Sequence, residues 1–226
     1  WTLDNYAAVF DQANMGNALI NGLAVAIPAT IIPIMFAAFA AYAFTFLQFR
    51  FKETLFIIIV AVMVVPIHVA FQPLLDLFGP RGLGISGEYL AVWLLHTGFG
   101  MPLCIYVLRN YMASLPFSVI ESARIDGCTN FQIFWRLIAP MAMPAMAAFA
   151  TLQFLWVWND LLVAMVFADP SAAPLTAAIQ RQTRAFGQNV YVIAPGAFLQ
   201  MVVPLIVFFA FQRYFVQGIL GGAVKG

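Results

Sequence analysis

No Asp, Glu, Lys or Arg occurs between Asp11 and Arg50, a run of 38 residues. Four further charge-free runs follow: 22 residues from Glu53 to Asp76, 20 from Glu88 to Arg109, 23 from Arg136 to Asp160 and 28 from Arg184 to Arg213. A helix needs about 20 apolar residues to cross the ~30 Å hydrocarbon core of a bilayer. Hydrocarbon offers backbone N–H and C=O groups no outside partner, so only helices or closed barrels can cross. The apolar runs are continuous and lack the alternation of barrel strands. We therefore expect an all-α polytopic membrane protein with five transmembrane helices, near 17–47, 54–76, 88–109, 138–167 and 191–216. The first gap is long enough for more than one crossing, but no polar turn divides it. Pro28 and Pro33 are expected to kink one long helix instead. Composition agrees: 64% of residues are hydrophobic and 8% charged, against roughly half and a quarter in soluble domains.

Several function classes recede at once. The formal net charge is +1 with no basic cluster, which excludes a nucleic-acid surface. Cys104 and Cys128 make neither a disulfide framework nor a metal spacing. No G-x-x-x-x-G-K-[ST] phosphate loop exists, and Lys52 and Lys225 are the only lysines, so this chain does not hydrolyse ATP. A membrane-embedded enzyme would have His96 and Asp160 as its best catalytic candidates, and nothing in the sequence places them together. An ion-driven secondary transporter of a small polar solute would show internal repeats and midplane charges; no repeat is visible, and the charge-free runs argue against it.

Basic residues orient the chain. With the loop around Arg50 and Lys52 inside, Arg109, Arg124, Arg136, Arg213 and Lys225 are also cytoplasmic, and only Arg81, Arg181 and Arg184 are outside. Seven against three favours this arrangement, with a cytoplasmic C-terminus and an external N-terminus. The sequence begins at Trp1 and shows no leader that would carry an external N-terminus across. One preceding span, and hence six in the full protein, is expected.

The inner side then holds "ESARIDGCTNFQIFWRLIAP", Glu121 to Pro140, where Glu121, Arg124, Asp126 and Arg136 crowd together. Pro116 suits a first helical turn. Phe117, Ile120 and Ala123 share roughly one face, and an i, i+3 pair of Glu121 with Arg124 is available. Gly127 suits the left-handed residue that ends a helix, and Thr129 to Gln132 fits a capping box. The segment reads as a short helix, a turn and a second helix running into the fourth span. Two readings of the first helix stand open: a helix lying in the headgroups, or one docking into a groove of a soluble partner.

This stretch resembles the cytoplasmic signature of bacterial ABC-importer permeases: Glu-Ala-Ala, three residues, Gly, nine residues, Ile, one residue, Leu-Pro. Glu121-Ser122-Ala123, Gly127, Leu137 and Pro140 stand at that spacing. Ser122, Leu137 and Ala139 depart from it by small or apolar exchanges. "IDG" at 125–127, "WVWNDLL" at 156–162, "GGAVKG" at 221–226 and the opening "WTLDNYAAVF" are similar to the maltose-type carbohydrate branch, in the position of its smaller six-span subunit. The resemblance implies a single transmembrane permease domain over residues 1–226, with a cytoplasmic coupling loop at about 110–140 and an external loop at about 169–190. It implies a bacterial inner-membrane location, lipid contact, a second permease, two ATP-binding subunits and an extracytoplasmic sugar-binding protein. ATP and Mg would be bound by the ATPase partners, with no cofactor in this chain. Glu121, Ser122, Ala123, Arg124, Asp126 and Gly127 become ATPase-coupling candidates, Glu121 meeting a basic ATPase residue and Gly127 setting the angle between the helices.

Polar residues inside spans mark candidate pathways. Gln153, Trp156 and Asp160 fall on one face of the fourth span, with Asn159 adjacent. Together with His96 they are candidates for the sugar path. Asp160 as a solvated helix end, and Trp156 and Trp158 as interfacial belt aromatics, are the competing structural readings. His68, Gln72 and Gln200 are weaker candidates, each readable as a packed interhelical group. The segment 169–190 reads as a solvated loop; the resemblance makes Gln180, Arg181, Gln182 and Thr183 candidates for contact with the binding protein.

Overall fold

A computed structural model describes residues 4–11, 14–184 and 190–223; the side chains of 11, 184, 190 and 215–223 are outside that description. Among the described residues the regular elements are all helices, joined by turns and irregular segments, with one isolated parallel bridge between Gly87 and Ala168. The helices are α1 (Asp4–Asp11), α2 (Met15–Phe46), α3 (Lys52–Val62), α4 (Phe71–Phe78), α5 (Tyr89–Met112), α6 (Phe117–Ile125), α7 (Asn130–Ile133), α8 (Ala139–Asn159), α9 (Leu162–Phe167), α10 (Leu175–Arg184) and α11 (Val190–Ala223). The first apolar run forms one uninterrupted 32-residue helix, as expected, that includes Pro28 and Pro33. Among the described residues four helices are long and apolar enough to cross a membrane, and a fifth crossing is reached if the bent pair Lys52–Val62 and Ile67–Phe78 counts as one span.

That pair corrects the expected continuous span at 54–76. The helix breaks at 63–66, bends by 95° and resumes through the 3₁₀ turn Ile67–Ala70. Pro66 sits at the break, where it disfavours helical geometry in the residue before it. The fourth span also differs. It begins earlier than expected, because α7, a π-helical turn at Phe134–Ile138 and α8 run together from Asn130 to Asn159. It ends earlier too: Asp160 and Leu161 interrupt it before α9. The segment 169–190, expected as an external loop, is not a plain loop. It holds the 3₁₀ turn Pro170–Ala172 and the ten-residue α10, while 185–189 lie outside the described residues. The expected cytoplasmic position of Lys225 also falls outside them, as do residues 1–3 of "WTLDNYAAVF" and 224–226 of "GGAVKG".

The chain divides into two compact units. One comprises Trp1–Thr30, Ile67–Thr97 and Gln153–Phe209; the other Ile31–Pro66, Gly98–Leu152 and Ala210–Gly226. In the second unit, small residues line the helix contacts: Ala37, Ala38 and Ala41 of α2 and Ala139, Ala142 and Ala145 of α8 are all buried. In a bilayer, where lipid is as apolar as leucine, such close backbone approach supplies the packing energy. Phe39 and Phe134 stack there at 4.4 Å between centroids. In the first unit, side chains bond across helices to backbone and to one another: Trp93 Nε1 donates to the Ala24 carbonyl at 3.0 Å, and Tyr89 Oη to Asn21 Oδ1 at 2.9 Å. Large apolar side chains point outward along the spans, including Ile20, Ile31 and Phe36 of α2, as a lipid or partner-helix surface requires.

Candidate functional sites

The segment between α5 and α8 is built as its caps dictate. Pro116 is the N-cap of α6, one residue earlier than the expected first-turn position. Ile120 and Ala123 are buried in the second unit, and Phe117 stacks on Phe46 at 6.4 Å. Glu121, Ser122, Arg124, Ile125, Asp126 and Gly127 are exposed, Ile125 to 86%. Gly127 has φ +78, and two bonds close the turn: Gly127 N–H to the Arg124 carbonyl at 3.1 Å and Cys128 N–H to the Ala123 carbonyl at 3.0 Å. Together they make a Schellman ending, which satisfies two of the helix's orphan carbonyls. The capping box is also present. Gln132 N–H donates to Thr129 Oγ1 at 3.3 Å, and Thr129 N–H to Gln132 Oε1 at 2.8 Å.

Arg124 behaves differently from expectation. Its Nη2 donates to the carbonyl of Phe46 at 3.1 Å rather than pairing with Glu121. Helix α2 has no basic residue in its last turn, so its terminal carbonyls are met from outside. Lys52 Nζ does the same, donating to Thr45 O at 3.3 Å and Leu47 O at 2.9 Å. Cations at a helix C-terminus oppose its partial negative charge. Tyr42 Oη donates to Asn130 Oδ1 at 3.4 Å. Both helices of the segment therefore rest on the last turns of α2, and the exposed side of α6 presents a carboxylate, a hydroxyl, an apolar side chain and a second carboxylate.

The polar residues of the first unit do not form one stripe. Gln153 is buried, its Nε2 donating to Ala29 O at 3.3 Å and His96 O at 3.4 Å. His96 is 1% exposed, with Trp156 edge-on at 5.7 Å between centroids. Both side chains are buried in the first unit. Trp158 is not a belt residue: it exchanges bonds with Gln200, Nε1 to Gln200 O at 2.9 Å and Gln200 Nε2 to Trp158 O at 3.0 Å. A small cavity of about 10 Å³ brings His96 and Asp160 to a shared wall with Gln200, a proximity no sequence spacing reveals.

A larger pocket of about 420 Å³ opens beside it, lined by Ile67, His68, Phe71, Trp156, Asn159 and Asp160 and closed by Leu161 and Leu162. Asp160 Oδ1 accepts from Val163 N–H at 3.0 Å, capping α9, and Asn159 Nδ2 donates to Leu155 O at 2.8 Å. His68 and Phe71 arrive from the broken second run; Gln72 is exposed and does not line this pocket.

On α10, Arg181 Nη1 donates to Pro170 O at 2.7 Å, and Thr183 Oγ1 to Ile179 O at 3.1 Å. Gln180 and Gln182 are half-buried. Asp169 accepts from the Ser171 hydroxyl and, at 2.6 Å, from its N–H. These bonds hold its carboxyl below the usual carboxylate range.

Residues 18–221 match the family of binding-protein-dependent transport system inner membrane components. The osmoprotective compounds uptake permease protein GgtD of Synechocystis sp. is 49% identical over 99% of this chain and 75% of its own length. The alpha-glucoside transport system permease protein AglG of Rhizobium meliloti is 49% identical over 100% of this chain and 61% of its own length. The trehalose transport system permease protein SugB of Mycobacterium tuberculosis is 33% identical, over 100% and 82%. A crystal structure of a bacterial ABC transporter for the acidic polysaccharide alginate superposes with TM-score 0.78 at 21% identity, over 93% of this chain and 79% of that one. The fold is that of ABC-importer permeases.

Proposed function

Because this chain belongs to the family of binding-protein-dependent transport system inner membrane components, we propose that it is one of two permease subunits in an ATP-driven importer of uncharged sugars and related osmoprotective compounds. Such a chain forms the translocation path with a second permease. It passes the ATPase stroke to its spans by alternating access. Glu121, Ser122, Ile125 and Asp126 meet the cytoplasmic ATP-binding subunit, which carries the ATP and Mg. Helix α10, through Gln180, Arg181, Gln182 and Thr183, meets the extracytoplasmic binding protein, and the C-terminus is cytoplasmic.

One observation carries the reading: an exposed short helix is joined by a tight glycine turn to a long span. The 30-residue run Asn130–Asn159 starts one capping residue after the turn, so a push on α6 reaches the membrane-spanning part through a short, hydrogen-bonded joint. The substrate class is supported by the names of the relatives at 49% identity. Reconstitution with the second permease, the ATP-binding subunits and the binding protein tests it. Uptake of an α-glucoside that requires both ATP and the binding protein is expected; uptake driven by an ion gradient without ATP overturns it.

A further inference from the structure

We propose that the 420 Å³ pocket is a sugar subsite on this chain itself, and that it selects uncharged sugars over acidic ones; the proposal rests on the permease reading above. Two helix interruptions make the pocket. The first, at 63–66, brings the turn Ile67–Ala70 with His68 and then Phe71. The second, at Asp160–Leu161, ends α8 beside them. Non-helical backbone at membrane depth is tolerated where it lines a cavity rather than facing lipid, and the turn beginning at Ile67 and the interruption at Asp160–Leu161 line this one.

The chemistry fits a pyranose. Trp156, 37% exposed, and half-buried Phe71 offer ring faces for the apolar side of a sugar. Asn159, Asp160 and exposed His68 offer groups for its hydroxyls. The volume falls inside the roughly 300–1,000 Å³ of small-ligand sites. The lining includes one carboxylate and no Lys or Arg. A uronate entering it would meet Asp160 without a counter-ion, and like charges at close range in a poorly solvated site repel. The alginate importer that shares this fold handles an acidic polysaccharide; the charge of this pocket favours the opposite selection. Asp160 also walls the small cavity with His96 and Gln200, so the residue that would sense sugar is backed by a buried polar group.

The test uses the assembled complex without binding protein, so that the pocket alone discriminates. Leu162, 48% exposed and on the pocket wall, is replaced by Leu162→Cys and labelled with a maleimide, the labelling of Cys104 and Cys128 in the parent chain being subtracted. Trehalose and methyl α-glucoside are expected to slow labelling several-fold, and glucuronate not at all. Trp156→Ala should abolish that protection, and Asp160→Asn should admit glucuronate, each read in complexes whose assembly is verified by gel filtration. Three results overturn the subsite: no protection by either sugar, protection that survives Trp156→Ala, or a cysteine that assembly with the second permease already shields. If the same complex, with the binding protein added back, shows no ATP-dependent uptake, the permease reading falls instead; transport without protection removes the subsite alone.

Discussion

Arg124 of α6 donates to the carbonyl of Phe46, the last residue of α2, at 3.1 Å. The segment between α5 and α8 is thereby attached to two long helices, to α8 by chain continuity and to α2 by this bond and the Phe117–Phe46 stack. In our account a stroke on α6 is shared between them. Arg124→Ala should lower coupled uptake several-fold and lower stability by about 1–2 kcal/mol, the range of a charge-assisted bond to a helix terminus. Arg124→Lys should restore part of both. Thermal denaturation of the purified complex and uptake in proteoliposomes check this; an Arg124→Ala variant that transports normally removes α2 from the pathway.

Gly127 is left-handed with open space around its Cα. A side chain there meets no neighbour, so the cost of Gly127→Val is backbone strain of about 1–2 kcal/mol. Membrane insertion should stay normal and ATP-dependent uptake should be lost, while Gly127→Asn, which tolerates this conformation better, should keep part of it. Uptake assays with an expression blot separate the two effects, and full transport by the valine variant contradicts the coupling role.

Gln153 and His96 are buried, the Gln153 amide donating to the His96 carbonyl, while Trp156, edge-on to His96, is partly exposed. Gln153→Leu should lower the melting temperature of the complex, corresponding to about 1 kcal/mol per lost bond, with little change in the KM for sugar. Trp156→Ala should do the reverse, raising KM with a small change in melting temperature. Parallel KM and melting measurements decide which residue lines the path.

The turn at Asp169 carries a pH dependence of defined sign. Its carboxyl is held below the ordinary value of 3.8 by the Ser171 hydroxyl and N–H. The charged form is favoured by folding, so the turn's stabilisation is complete above that ordinary value and is lost as pH falls through the depressed one. Uptake between pH 5 and 8 (roughly the range of a working importer, well above a carboxylate's pKa) should be the same for wild type and Asp169→Asn. A difference confined to that range would contradict the assignment.

Much of this architecture is legible in the charge-free runs, because hydrocarbon permits little besides uninterrupted helix. The turn at Gly127 and the box at Thr129–Gln132 are legible for a similar reason: each depends on a few neighbouring residues. The break at 63–66 is not. It lies inside an apolar run with no charge to mark it, and only Pro66 hints at it. The partner of Arg124 is invisible because its acceptor is a backbone carbonyl 78 positions away, and every residue carries such a carbonyl. The pocket is hidden for the same physical reason: His68 and Asp160 come from separate runs and meet only through two bends. Helix α10 escapes notice because its polar residues read as a solvated loop when its buried side, Leu175 and Ala177, is not considered.

The most direct measurement concerns Ile125, 86% exposed at the end of α6. A photo-reactive amino acid at position 125 in the full complex, irradiated in native membranes, reports what covers this helix. We expect an adduct with the ATP-binding subunit, its yield changing when ATP closes the ATPase pair. An adduct with lipid alone, in a complex that still contains the ATP-binding subunit, would identify a headgroup helix and contradict the coupling account.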